Sequence, residues 1–232
     1  MINKKNIHKI IEKIDIMCPA IDFLSHIMLL QYINPSQVWE LGAGRGSWCI
    51  GLDKFKSNIL YNLVEDFSWH TSGLATKFVD YDWPATPSDV TQFIKNNSPN
   101  LNYNLYSSDV LNHKDIFTNL EFVRIDCDLN NPTETYDHIL QNSLDNLVIL
   151  LDDIRPNGAL NRLFEVLKYI ESGELKIVLA SNETLVLAKQ NFDTVKFYEF
   201  CCENDCSNNV THRDDFNIFN LTADFVTFKG TV

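Results

Sequence analysis

Glycine stands at three alternating positions, Gly42, Gly44 and Gly46, directly after the apolar run Val38-Trp39-Glu40-Leu41, with the acid Glu40 two residues before the first of them. Glycines so spaced let a backbone turn tightly and bring its N–H groups against a ligand, while the helix that follows offers its positive N-terminus. That is the chemistry of a nucleotide-type cofactor. The dinucleotide pattern G-x-G-x-x-G would need glycine at position 47, where the chain has Ser47. The Gly-Lys-Ser/Thr ending of a phosphate-binding P-loop is missing as well. Further along, apolar runs end again and again in carboxylates: Glu65-Asp66, Asp109, Asp126-Cys127-Asp128 and Asp152-Asp153. Carboxylates accept hydroxyl and amino protons, bind hard cations and act as bases.

The elements that must position these residues alternate between strand and helix signals, the pattern of a parallel sheet. Residues 7–16 and 20–32 carry apolar positions at helical spacing and form two leading helices. Residues 37–41 are the first strand and 47–55 the first crossover helix. Further strands are expected at 58–64, 104–107, 121–125 and 147–151, with helices at 88–95 and 160–170. Residues 176–180 and 184–188 read as a hairpin joined by Ser181-Asn182-Glu183. In open α/β sheets ligands bind outside the carboxyl ends of the strands, so the acids converge on one edge. The expected organisation is N-terminal helices at 1–34, a cofactor-binding core at 35–190 and a C-terminal extension at 191–232 packed on the core. Substrate contacts are expected from the loop at 130–135, the aromatic stretch Trp69 to Trp83 and that extension.

Composition limits the alternatives. At 232 residues, 45% hydrophobic and 22% charged, the chain is an ordinary globular sequence with one substantial core. A net charge of −12 with dispersed Lys and Arg argues against a nucleic-acid partner. No apolar run is long enough to cross a bilayer, so no membrane partner and a cytoplasmic location are expected. Six scattered cysteines fit a reducing compartment. The group Cys201, Cys202, Cys206 with His212 lacks a second C-x-x-C pair, and zinc there is disfavoured. Oligomeric state is open.

The segment Glu40 to Gly46 resembles, position by position, the first motif of the class I S-adenosylmethionine-dependent methyltransferases. The resemblance spans roughly residues 38–189 and implies a Rossmann-like α/β fold: a mostly parallel seven-stranded sheet with a closing antiparallel hairpin and helices on both faces. It implies S-adenosylmethionine as cofactor, bound by Glu40, Gly42, Gly44 and Gly46. A narrower likeness lies in Phe122-Val123-Arg124-Ile125-Asp126-Cys127-Asp128-Leu129, with Thr133, Tyr136 and Val148 to Asp153, which looks like the macrocin O-methyltransferase branch. That branch methylates sugar hydroxyls and uses a divalent metal. Two departures stand out: Asn130-Asn131-Pro132-Thr133 replaces the branch's usual loop, and its Gly-Gly before the fifth strand is missing.

Glu65, about twenty residues after the first glycine, is where a nucleoside-binding fold puts a carboxylate on the ribose hydroxyls. Asp66 is the adjacent alternative. The resemblance gives Asp109 to the adenine amino group; as a plainer alternative it caps the segment beginning at Val110. Four carboxylates at one sheet edge repel unless a cation neutralises them, and an oxygen-liganded Mg²⁺ resolves the conflict. Asp126, Asp152 and Asp153 are the expected metal ligands and Asp128 the catalytic base, as the resemblance implies. His113 and His138 are reserve bases. The competing picture has Asp152 capping a helix, Asp128 facing solvent and no metal. The function expected is methyl transfer to a hydroxyl of a small molecule or sugar, with a metal-independent methyltransferase or a non-catalytic cofactor-binding protein as alternatives.

Overall fold

A computed structural model describes residues 4–68, 86–152, 160–218 and 221–232. Asp153 and the stretch from Trp69 to Trp83 lie outside the described residues.

The chain opens with α1 (Lys4–Ile14) and α2 (Ala20–Ile33), then β1 (Gln37–Leu41), α3 (Ser47–Asp53) and β2 (Leu60–Val64). It continues through α4 (Pro87–Asn97), β3 (Tyr103–Tyr106), a 3-10 stretch (Val110–Ile116), β4 (Leu120–Ile125), α5 (Pro132–Gln141) and β5 (Ser143–Leu151). It ends with α6 (Leu160–Glu171), β6 (Leu175–Ala180), β7 (Leu185–Lys189), α7 (Thr194–Cys201), a π-helical turn (Cys202–Cys206), β8 (Val210–Ile218) and β9 (Leu221–Phe228).

One sheet runs through the molecule in the order β3-β2-β1-β4-β5-β7-β6-β9-β8. Strands β3, β2, β1, β4 and β5 pair in parallel. Strand β7 is antiparallel to both β5 and β6, so the expected hairpin is present and sits inside the sheet. The seven-stranded expectation is exceeded by two. Beyond residue 190 the chain adds β9 in parallel with β6 and β8 antiparallel to β9. A strand segment such as Phe225–Phe228, with both faces buried, is stable only as part of a larger sheet, and the β6 edge supplies it.

Two apolar layers enclose the sheet. Side chains of α1, α2, α3, α4 and α7 pack on one face with Val38, Phe122, Val148 and Val186. On the other, α5 and α6 pack Tyr136, Ile139, Val166 and Tyr169 against Val123, Ile125, Ile149 and Leu151. Strand residues thus alternate between layers with the period of two that a doubly covered sheet requires. Among the described residues, no helix is long and apolar enough to cross a membrane.

The expected loop at 130–135 is a helix start instead. Asn131 caps α5 by accepting from the Glu134 N–H (3.3 Å), and Pro132 occupies the first helical turn, where its missing N–H costs nothing.

Candidate active site

Strand register lines up the residues that carry chemistry. Val64, Leu41, Ile125 and Leu151 form one row across β2, β1, β4 and β5, and Leu185 of β7 continues it. One step beyond that row stand Glu65, Gly42, Asp126 and Asp152, with Thr184 beside Asp152 on the antiparallel strand. Neighbouring strands are about 4.8 Å apart. The ladder itself extends over the edge: Gly42 N–H donates to Val64 O (2.9 Å), Asp126 N–H to Leu41 O (2.8 Å) and Asp152 N–H to Ile125 O (3.1 Å). The strand order reverses between β1 and β4, the switch point at which α/β sheets open a ligand crevice.

The glycine loop crosses this point. Gly42 has φ +81°, and an added Cβ would lie 2.6 Å from both the Asp126 carbonyl oxygen and Cys127 Cβ. Only a residue without a side chain fits. Gly44 turns its N–H to Glu65 Oε2 at 2.6 Å, while Glu65 Oε1 accepts from the Phe67 N–H (3.0 Å). Glu65 therefore faces the loop and is half-buried. Asp66 is exposed and turns away to accept from the Ser68 N–H (2.9 Å).

Glu40 is placed otherwise than as a direct cofactor contact. It is buried under β1 on the face of α2 and α3, and its Oε1 receives Arg124 Nη1 at 2.5 Å. The same guanidinium donates through Nη2 to Asp126 Oδ2 (2.8 Å) and through both Nε (3.2 Å) and Nη2 to Asp152 Oδ2. Arg124 is thus a buried hub for three carboxylates. Burial works against its charge, and Asp126, Asp152 and Glu40 more than offset that, holding its pKa well above the usual value. Burial raises Glu40 to about 8, opposed by Arg124. A second arginine, Arg162, donates to the Asp152 carbonyl (2.5 Å) and lies 3.8 Å from Asp126 Oδ1.

Sequence reasoning missed this hub, although a signal was present. Glu40 and Arg124 are charged residues inside apolar strands, each two residues before the sheet edge on the same face, where an unpaired charge would be prohibitive.

Asp126 and Asp152 converge on one point, Arg124 Nη2, and offer only oxygen atoms there. Such a set suits a hard divalent cation by ligand type. The cation that meets them in the structure is the guanidinium. Asp128 is exposed at the edge. It acts on Glu165, whose carboxyl is raised by burial, held back by the charge of Arg162 and pushed further up by that of Asp128. Asp109 takes the helix-capping alternative: Oδ1 accepts from the Leu111 N–H (2.8 Å) and Oδ2 from Asn130 Nδ2 (2.6 Å). His113 bonds to Ser108 Oγ (2.8 Å), and His138 stacks on Phe117 at 5.7 Å. Of the residues weighed for zinc, Cys201 and Cys206 are buried, and His212 Nε2 meets Asp224 Oδ1 at 2.6 Å.

No protein-family model and no curated protein matches the sequence. Solved structures do match. An O-methyltransferase from Bacillus cereus, in complex with S-adenosylhomocysteine, aligns with TM-score 0.54 and 13% identity over 82% of this chain and 93% of its own. A TDP-rhamnose 3'-O-methyltransferase of calicheamicin biosynthesis aligns with TM-score 0.55 and 13% identity, over 74% and 80%. A methyltransferase from Geobacter sulfurreducens aligns with TM-score 0.55 and 14% identity, over 80% and 86%. The fold is the Rossmann-like α/β fold of these methyltransferases, carried on this chain to nine strands.

Proposed function

We propose that the chain is an S-adenosylmethionine-dependent O-methyltransferase acting on a hydroxyl of a small molecule or sugar. The observation that carries this reading is the contact between Gly44 N–H and Glu65 Oε2, which joins the glycine loop after β1 to the end of β2 at the carboxyl edge of a sheet of methyltransferase order. It sets a donor loop and a ribose-type acceptor side by side at that edge. The O-methyltransferases among the similar structures, one of which acts on a TDP-sugar, support the acceptor class.

S-adenosylmethionine supplies an electrophilic methyl group on a sulfonium. On this chain Gly42 and Gly46 shape the loop that approaches it, Gly44 offers a backbone N–H, and Glu65 accepts the two ribose hydroxyls. Asp109 keeps unused lone pairs on its capping oxygens for the adenine amino group. Glu40 acts from below, by fixing Arg124 and the floor of the loop. Asp128, exposed beside Asp126, takes the proton of the acceptor hydroxyl as oxygen attacks the methyl carbon, since an alcohol is a poor nucleophile until that proton leaves.

A divalent ion such as Mg²⁺, held by Asp126, Asp152 and Asp153, would fix adjacent hydroxyls and lower the pKa of the attacking one. A metal-independent transfer is the second reading, and Arg124 is the observation that favours it. A fixed guanidinium already offsets the carboxylate charge that otherwise calls for an ion.

The deciding experiment is a panel of sugar and phenolic acceptors with methyl-labelled S-adenosylmethionine, run with EDTA and with added Mg²⁺. Transfer that stops in chelator and returns with Mg²⁺ supports the metal-assisted form; full transfer in chelator supports the second. Asp128→Asn lowers turnover while cofactor affinity is kept. No transfer to any acceptor, together with undiminished cofactor binding, points to a non-catalytic binding protein.

A further inference from the structure

The loop from Gly42 to Gly46 carries two side chains, the Ala43 methyl and Arg45, and only Arg45 is long enough to reach another element. It reaches two. Its Nη2 donates to the Asp15 carbonyl (3.1 Å) and forms an ion pair with Asp15 Oδ2, in the turn between α1 and α2. Its guanidinium lies 4.8 Å over the Phe93 ring of α4. The Arg45 side chain is 14% exposed and that of Asp15 48%, so the loop's end of the pair is the one held out of water. One side chain thus fastens the glycine loop both to the leading helices and to α4.

Asp15 occupies its place against local preference. The Ile16 N–H donates to Ile11 O (3.1 Å), the six-to-one bond of a Schellman turn closing α1, and Asp15 is the left-handed residue of that turn, with φ +55°. Glycine or asparagine is the usual occupant, and a negative charge is unfavourable beside the carbonyl end of a helix. The Arg45 guanidinium is the compensating contact. A residue that breaks two local rules and meets a charge from the cofactor loop points to that contact as its use. The loop needs such a tie, because Gly44 and Gly46, both at positive φ (+53° and +78°), leave it much freedom to lose. Gly46 N–H donates to Ala43 O (2.8 Å) and Gly44 N–H to Glu65 Oε2 (2.6 Å). Once ribose hydroxyls share the Glu65 carboxylate, the second of these bonds weakens, whereas the Arg45 contacts do not involve Glu65.

We propose that Arg45 and Asp15 are positioning residues for the cofactor: they hold the Gly42–Gly46 loop in the shape that receives S-adenosylmethionine by fastening it to the turn between α1 and α2. The proposal rests on the reading of this loop as the cofactor's seat. It makes affinity and stability diverge at position 15. Asp15→Gly relieves the left-handed backbone and removes the charge from the helix end, so the fold loses nothing there. The loop loses its anchor all the same.

The test uses the full-length protein titrated with S-adenosylhomocysteine by calorimetry, for wild type, Asp15→Gly, Arg45→Met, Arg45→Lys and the double variant Asp15→Gly/Arg45→Met. Thermal midpoints and amide exchange at Gly46 are recorded on the same proteins. In Asp15→Gly the expected affinity is about twofold to fivefold weaker, with a midpoint at or above that of wild type. Arg45→Met, which also gives up the Phe93 contact, is expected to bind about threefold to tenfold more weakly, with partial recovery in Arg45→Lys. The double variant should lose no more than Arg45→Met alone, and Gly46 should exchange faster in both single removals. Unchanged affinity in Asp15→Gly, losses that multiply in the double variant, or an Asp15→Gly affinity loss matched by a lowered midpoint overturns the proposal. Absence of S-adenosylhomocysteine uptake by wild type removes the cofactor reading instead, and the fastening is then decided by Gly46 exchange, where unchanged rates refute it.

Discussion

Arg124 holds Asp152 through two of its nitrogens while a third reaches Glu40, so one buried guanidinium ties the end of β5 to the middle of β1. Neither strand touches the other in the sheet; β4 lies between them. The arginine is the link that lets the acid behind the glycine loop and the acid at the crevice share one counter-charge.

Removing that counter-charge leaves Glu40, Asp126 and Asp152 close together with little water. Arg124→Met should therefore destabilise the fold by about 3–5 kcal/mol, the usual cost of stranding one side of a buried ion pair. Arg124→Lys should recover only part of this, because an ammonium lacks the planar fork that serves three carboxylates. Denaturant midpoints for the three proteins check it. A loss below about 1 kcal/mol in Arg124→Met would mean that the cluster is hydrated and that Arg124 is no hub.

Gly42 admits no Cβ, since the atom would overlap the backbone of Asp126 and the side chain of Cys127, and its φ of +81° is strained for any L side chain. Gly42→Ala should cost about 1–3 kcal/mol and displace β1's loop from β4. At Gly173, also at positive φ (+78°) but with nothing within 4 Å, the same change meets only the backbone penalty. Thermal unfolding of both variants separates the two contributions; equal losses would show that the Asp126 contact is immaterial.

Two buried groups act on stability with opposite signs over overlapping pH windows. His26 has its pKa lowered from 6.5 to about 3, so the unfolded chain takes up a proton that the folded one refuses. Its contribution is complete above pH 6.5 and is lost as pH falls toward 3, at up to about 1.4 kcal/mol per pH unit. Glu40 has its pKa raised from 4.5 to about 8, so its contribution is complete below 4.5 and is lost as pH rises through about 8. Between about pH 4.5 and 6.5 the two contributions oppose each other, so urea unfolding should show stability falling as pH rises across that window in His26→Gln, where Glu40 acts alone, and rising with pH there in Glu40→Gln, where His26 acts alone. Identical pH profiles for wild type and both variants would contradict a lowered His26 imidazole and a raised Glu40 carboxyl.

Much of the site was legible because it lies where the chain changes period. Apolar runs end in Glu65, Asp126 and Asp152, and parallel register then brings those residues to one edge without further information. What was not legible depends on contacts between distant elements. The sequence marks Glu40 as the acid of a glycine motif, but only the pairing of Glu40 with Arg124 in β1 and β4 shows that it points into the core. Asn131-Pro132 reads as a loop until α5 is seen to start there. His26 Nε2 meets Thr184 Oγ1 at 3.0 Å across 158 positions of chain, and nothing local in either segment joins them. The added pair β8–β9 escaped for a similar reason, since strand-like sequence does not say which edge it will join.

Binding of S-adenosylmethionine by the Gly42–Gly46 loop and Glu65 together is what every other step depends on. Calorimetry of the cofactor with wild type, Glu65→Ala and Asp66→Ala tests it most directly, because Glu65 faces Gly44 at 2.6 Å and Asp66 turns to Ser68. The expected result is one cofactor per chain, an affinity loss of about 1.5–3 kcal/mol in Glu65→Ala from the missing charge-assisted bonds, and little change in Asp66→Ala. Undetectable binding by wild type, or equal affinity in wild type and Glu65→Ala, would contradict it.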